Sequence, residues 1–160
     1  MKVHEVMTKN PACCCPSSSV LTAATIMQQR DIGVLPVIQD PSTPRLVGVV
    51  TDRDLCLHVV AGGRDPADIW IRECMTEGPI CCAVGDDVRY ALELMEEHQV
   101  RRLPVVNARH QVEGILSLGD LVGKGSITSV EIAEALRTIR EPVREPVGET
   151  AEPMEMITAS

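Results

Sequence analysis

The chain has 160 residues, 44% of them hydrophobic, and carries a formal net charge of −8 at pH 7. That length suffices to bury a sizeable core without disulfides or a metal, and no apolar run approaches the roughly 18–20 residues needed to span a bilayer. The negative balance, with one Trp, one Tyr and no Phe, opposes binding to a nucleic-acid backbone or stacking on single-stranded bases.

Met1-Lys2-Val3-His4-Glu5 carries an acid and lacks the apolar core and small-residue cleavage site of a secretory signal, so a cytoplasmic location is expected. Met7-Thr8 then recurs as Met75-Thr76, and a constant offset carries Pro11 onto Pro79, Cys13-Cys14 onto Cys81-Cys82, Val20 onto Val88 and Leu35-Pro36-Val37 onto Leu103-Pro104-Val105. After a two-residue insertion at Asp40-Pro41-Ser42-Thr43-Pro44, Gly48-Val49-Val50-Thr51 aligns with Gly114-Ile115-Leu116-Ser117 and Asp54-Leu55 with Asp120-Leu121. The chain is therefore two copies of one half.

Each half reads as strand, helix, strand, strand, helix. Ser19 or Ser18 can cap a helix whose apolar residues Val20, Ala23, Ala24 and Met27 share one face, and Val88, Ala91, Leu92 and Met95 repeat it. The apolar runs 34–38 and 45–50, like 103–106 and 112–116, predict paired strands. The proline in each Leu-Pro-Val run lacks an amide donor and belongs at a strand start or edge. Thr51 and Ser117 can then cap short helices reaching Leu57 and Val122. This gives a first repeat over 1–61, a linker over 62–69 opened by Gly62-Gly63, a second repeat over 70–124, and a C-terminal part over 125–160. In the last part Ser126 can cap a helix to about Arg140, and an acidic stretch with Pro142, Pro146 and Pro153 is expected to be flexible.

Gly48-Val49-Val50-Thr51-Asp52-Arg53-Asp54 places a hydroxyl at a strand end, a helix N-terminus after it, and a carboxylate three positions on. Free amides and a hydroxyl suit a phosphate, a carboxylate can accept from a ribose diol, and Gly48 could admit a ligand close to the strand. The same Thr-x-x-Asp spacing is that of a capping box, whose side chains merely satisfy helix amides.

The duplicated context, Met-Thr, capped helix, Leu-Pro-Val strand and Gly-x-x-Thr/Ser-x-x-Asp, resembles paired cystathionine β-synthase (CBS) domains, the Bateman module, over roughly Lys2 to Val122. The sequence 95–105 carries the same likeness. The resemblance implies an α+β fold of tandem CBS repeats, each β-α-β-β-α, packed about a pseudo-twofold axis. It also implies two clefts that take adenosine-containing ligands: AMP, ADP or ATP first, or NAD or S-adenosylmethionine. No cofactor is required in that reading. The implied first cleft uses Asp54 for ribose and Thr51 and Arg53 for phosphate, with Thr76, Cys81, Val100, Arg101 and Arg102 from the second half. The other pairs Ser117 and Asp120 with Thr8, Cys13, Ile32 and Gly33. A homodimer, and an unknown protein target, are further implications.

Charge separates the clefts. Arg53, Arg101 and Arg102 fall in the first, whereas Gly119 replaces Arg53 and Ile32-Gly33-Val34 replaces Val100-Arg101-Arg102 in the second, leaving Lys124 as its cation. Guanidinium groups bind phosphate bidentately, so a phosphorylated ligand should prefer the first. Alternatively, Arg101 and Arg102 form a solvated strand end paired with Glu96 and Glu97. The seven cysteines are expected to be reduced thiols; neither cluster, Cys13-Cys14-Cys15 nor Cys81-Cys82, has Cys-x-x-Cys spacing, and Cys13, Cys14 and Cys15 on a strand would point to alternating faces, so the clusters are expected to be small buried residues rather than a metal site. His4, His58, His98 and His110 show no ligand spacing. Trp70 either covers a cleft or anchors the linker on the second half. With no nucleophile beside a base, an enzyme is not expected; the rival readings are a ligand-free dimerisation module and a cysteine-based redox or metal sensor.

Overall fold

A computed structural model describes residues 1–123 and 127–140. The elements in order are α1 (Val3–Val6), β1 (Thr8–Lys9), α2 (Val20–Arg30), β2 (Val34–Asp40), β3 (Thr43–Thr51) and α3 (Asp52–Cys56), which runs on as a π-helical turn over Leu57–Ala61. After a 3-10 turn at Ile71–Glu73 come β4 (Thr76–Glu77), β5 (Cys82–Ala83), α4 (Val88–Glu97), β6 (Arg102–Val106), β7 (Val112–Ser117), α5 (Leu118–Gly123) and α6 (Ser129–Arg140). The repeated β-α-β-β-α order is thus present in both halves.

Each principal helix starts where a side chain can cap it. The Ser19 hydroxyl accepts from the Thr22 amide, and the Asp87 carboxylate accepts from the Arg89 amide. Each is followed by a residue with left-handed backbone, Asp31 (φ 53°) and Gln99 (φ 55°), which turns the chain into the next strand. The buried stripe of α2 is Val20, Ala23 and Met27; Ala24, expected on it, is exposed. Its counterpart Leu92 is buried in the second half, where α6 packs against α4 through Ile132, Ala135 and Ile139. Among the described residues no such helix covers Ala24.

The start of α6 also differs from expectation. Thr128 caps it, its hydroxyl donating to Glu131 and accepting from the Glu131 amide, a reciprocal box that the Thr-x-x-Glu spacing encodes. The Thr128 hydroxyl and amide, both donating to the Glu131 carboxylate, together with the Arg89 guanidinium lower its pKa to about 2. Ser126, Lys124 and the stretch from Glu141 lie outside the described residues.

The halves exchange their leading segments. β1 pairs antiparallel with β7 (Thr8 opposite Ile115) in the sheet β1-β7-β6-β5, and β4 pairs with β3 (Thr76 opposite Val49) in the sheet β2-β3-β4. Val3 and Val6 accordingly sit in the core of the second half, beside Leu103, Val105 and Leu116. Ile69, Ile71 and Cys74 complete the core of the first, beside Leu35, Val37 and Val50. Between Ile69 and Ile71, the extended chain alternates sides, so Trp70 is 42% exposed, with the Arg72 guanidinium 5.5 Å from its ring. The linker anchor is therefore the two isoleucines, and they hold the first half, not the second.

Gly48 and Gly114 make the exchange possible. A Cβ on Gly48 would lie 3.0 Å from the Thr76 carbonyl oxygen, and one on Gly114 2.8 Å from that of Thr8. What approaches the strand at Gly48 is β4, in place of the ligand expected there. Pro36 lies on the edge strand β2, as its missing amide requires; Pro104, against expectation, is the third of five residues of the interior strand β6, and its missing amide is tolerated because the pairing with β5 begins only at Val105.

Candidate functional site

In both halves the inward face of the hairpin fills the core, Leu35 and Val37 in one and Leu103 and Val105 in the other, all fully buried. The opposite face, with Pro36 and Pro104, turns toward a cleft between the halves of about 730 Å³, a volume that fits a small-molecule ligand. Its floor is apolar (Val34, Pro36, Val49, Pro104, Ile115). Its polar rim comes from the α3 end (Thr51, Asp52, Arg53, Asp54), from Thr76, and from the turn after α4 (His98, Gln99, Val100, Arg101, Arg102).

Of the residues expected in this first cleft, Thr51, Arg53, Asp54, Thr76, Val100, Arg101 and Arg102 border it; Cys81 does not, although its neighbours Pro79 and Ile80 do. Arg53, Arg101 and Arg102 are exposed and take part in none of the ion pairs among the described residues, which are Met1–Asp87, Arg64–Glu73 and Arg89–Glu131. Pairing of Arg101 and Arg102 with Glu96 and Glu97 is thus not what the side chains do. Three guanidinium groups on one rim leave their donors available to an anion.

Thr51 and Asp54 form a complete capping box. The Thr51 hydroxyl donates to Asp54 Oδ2 at 2.7 Å, the Thr51 amide donates to the same oxygen at 2.9 Å, and the Asp54 amide donates back to Thr51 Oγ1 at 3.2 Å. Ser117 and Asp120 repeat these bonds, in the same order, at 2.6, 2.8 and 3.2 Å. Both readings of the motif therefore share atoms. The box uses one carboxylate oxygen of Asp54, a residue that borders the cleft, which leaves its other oxygen as an acceptor outside the box, while the Thr51 proton is already directed at Asp54.

The second cleft, of about 570 Å³, is bordered by Thr8, Ile32, Gly33, Ser117 and Asp120, as expected, but not by Cys13, whose thiol donates to the Pro11 carbonyl at 3.4 Å. Its described cations are Arg30 and Arg102, against Asp31 and Asp120; Lys124 lies outside the described residues. Sequence reasoning missed Asp52, His98, Gln99 and Ile80 in the first cleft and Asn10, Arg30 and Arg102 in the second. A signal was present for one pair: Asn10 and Gly78 are equivalent positions, each before a proline and each with positive φ (49° and 56°).

All seven cysteines are free thiols. Burial, reinforced by neighbouring thiols, pushes Cys13 up to about 11 and Cys14 up to about 12; burial and the Asp86 carboxylate push Cys82 up to about 12. Thiols held protonated are poor nucleophiles and poor metal ligands. No group of three or more His, Cys, Asp or Glu among the described residues is placed to hold a metal, and no helix among them is long and apolar enough to cross a membrane.

The profile of the CBS domain matches residues 3–61 and 71–126, so the chain belongs to the CBS-domain family and is a tandem CBS pair. It is 38% identical over 120 residues to the uncharacterized protein YlbB of Bacillus subtilis, covering 75% of this chain and 79% of that one. It is 32% identical over 118 residues to hypoxic response protein 1 of Mycobacterium tuberculosis, covering 74% and 80%. The crystal structure of Hypoxic Response Protein I with two coordinated zinc ions superposes with a TM-score of 0.68 at 31% identity, over 76% of this chain and 96% of that one. The structure of Arabidopsis thaliana CBSX2 in complex with AMP matches with a TM-score of 0.64 at 28% identity, over 88% and 98%.

Proposed function

We propose that this CBS pair is a regulatory module, not an enzyme, that senses an adenosine-containing ligand bearing phosphate, AMP, ADP or ATP in the first instance, in the first cleft. The observation that carries this is the convergence of Arg53, Arg101 and Arg102, free of ion pairs among the described residues, on a 730 Å³ cleft that also offers the Asp54 carboxylate. A phosphate engages the arginines, and a ribose diol donates to the free oxygen of Asp54. The AMP bound by CBSX2, a protein of the same fold, supports the choice of ligand. NAD and S-adenosylmethionine are less well matched to three arginines.

Asp54→Ala and Asp120→Ala test this together. Each removes an equivalent capping box and should cost about 1 kcal/mol of stability in chemical denaturation. Only Asp54→Ala should abolish tight AMP binding in calorimetry; equal AMP affinity in both variants would refute the ribose assignment.

The module is read as a cytoplasmic homodimer that passes its ligand state to a protein target. The helix layer of the first half carries Leu21, Leu57 and Val60 at 50%, 52% and 73% exposure, a surface that a second copy would cover. Light scattering should give twice the chain mass, and Val60→Asp should shift it to the monomer.

A further inference from the structure

The two clefts share a wall. Gly33, Val34, Arg102 and Ile115 border both, and Arg102 is the one charged residue of the four. Leu103 beside it is fully buried, so the alternation of β6 sends the Arg102 side chain to the opposite face, the same as Pro104 on the cleft floor. Apart from Arg102 and His98, the charges bordering the first cleft balance, Arg53 and Arg101 against Asp52 and Asp54. Those bordering the second, among the described residues, are Arg30 against Asp31 and Asp120. Whichever cleft engages Arg102 therefore gains the charge an anion needs, and a guanidinium fork that grips one phosphate bidentately is not free to grip another the same way.

We propose that Arg102 couples the clefts negatively: a phosphorylated ligand in one takes the shared guanidinium and leaves the other a poor anion site. This rests on the reading of the first cleft as a phosphorylated-ligand site. By linkage the effect is reciprocal, and it acts on the phosphate alone, so an uncharged nucleoside in one cleft leaves the other unchanged.

Calorimetric titration of AMP into the full chain tests the coupling. The first cleft is disabled in two independent ways, by Ile80→Trp, which fills it from a 37% exposed position, and by Arg53→Glu; each is compared with wild type, with and without Arg102→Gln. The second cleft should bind AMP about tenfold more tightly when the first is disabled than when it is filled, within the usual range of coupling between sites. Arg102→Gln should erase that difference, and adenosine should show none. Equal second-cleft affinities with the first cleft filled or disabled, or a tighter second step in wild type, would overturn the coupling and leave the ligand reading standing. If AMP bound to none of these proteins, both would fall.

Discussion

Replacing Arg53 and Arg101 together by glutamine is expected to weaken AMP binding by about a hundredfold or more, because each charge-assisted hydrogen bond lost is worth about 1.5–3 kcal/mol. Both side chains are exposed, belong to no ion pair among the described residues and border the first cleft. Their replacement should therefore leave the denaturation midpoint of the ligand-free protein nearly unchanged. Adenosine should bind the double variant much as it binds wild type, since the apolar floor of Val34, Pro36, Val49 and Ile115 and the Asp54 acceptor remain. Calorimetry with AMP and adenosine side by side separates the outcomes. Equal losses for both ligands would mean that the arginines shape the cleft instead of holding phosphate.

A large loss of stability from a single truncation outside either hairpin is expected at Ile71. It is fully buried and completes the core of the first half although it lies in the second repeat by sequence. Ile71→Ala should cost about 2–5 kcal/mol, the range for large-to-small changes at sites that collapse incompletely, out of a total stability of about 5–15 kcal/mol. Gly114→Ala attacks the same exchange from the other half. Its methyl group would meet the Thr8 carbonyl at 2.8 Å, and overpacking of that kind costs about 1–3 kcal/mol. Denaturant titration measures both. If Ile71→Ala were as mild as a surface change, within about 0.5 kcal/mol, the leading segments would not be exchanged between the halves.

That exchange is also the part of the fold least legible in the sequence. The repeat itself, the two capped helices and the paired Leu-Pro-Val strands could be read from spacing, since each extends over enough residues to show a period. β1 and β4 are two residues each, too short to carry any alternation, and what places them is a glycine on the partner strand, which in the sequence reads equally well as room for a ligand. Ala24 departs from expectation for a related reason: helical periodicity puts it beside Val20 and Ala23, but whether that flank is buried depends on a covering helix, which among the described residues only the second half has.

At the site, the arginines and the Thr/Ser-x-x-Asp motifs were legible because charge and hydrogen-bonding chemistry are written in residue type. The sharing of Arg102 by both clefts was not, since it follows from the packing of the halves. Cys13 and Cys81 were displaced from the linings by a single residue each, Ala12 and Ile80 taking their places.

The central claim is that the folded chain binds an adenine nucleotide, and thermal unfolding of the purified protein against AMP, ADP, ATP, NAD, S-adenosylmethionine and a non-adenine nucleotide tests it most directly. A ligand that binds only the folded state at a hundred times its Kd adds about 2.7 kcal/mol of stability. A rise in midpoint selective for the adenosine phosphates is the predicted result. A midpoint unmoved across the whole panel would contradict the claim and leave a CBS pair that works through its surfaces alone.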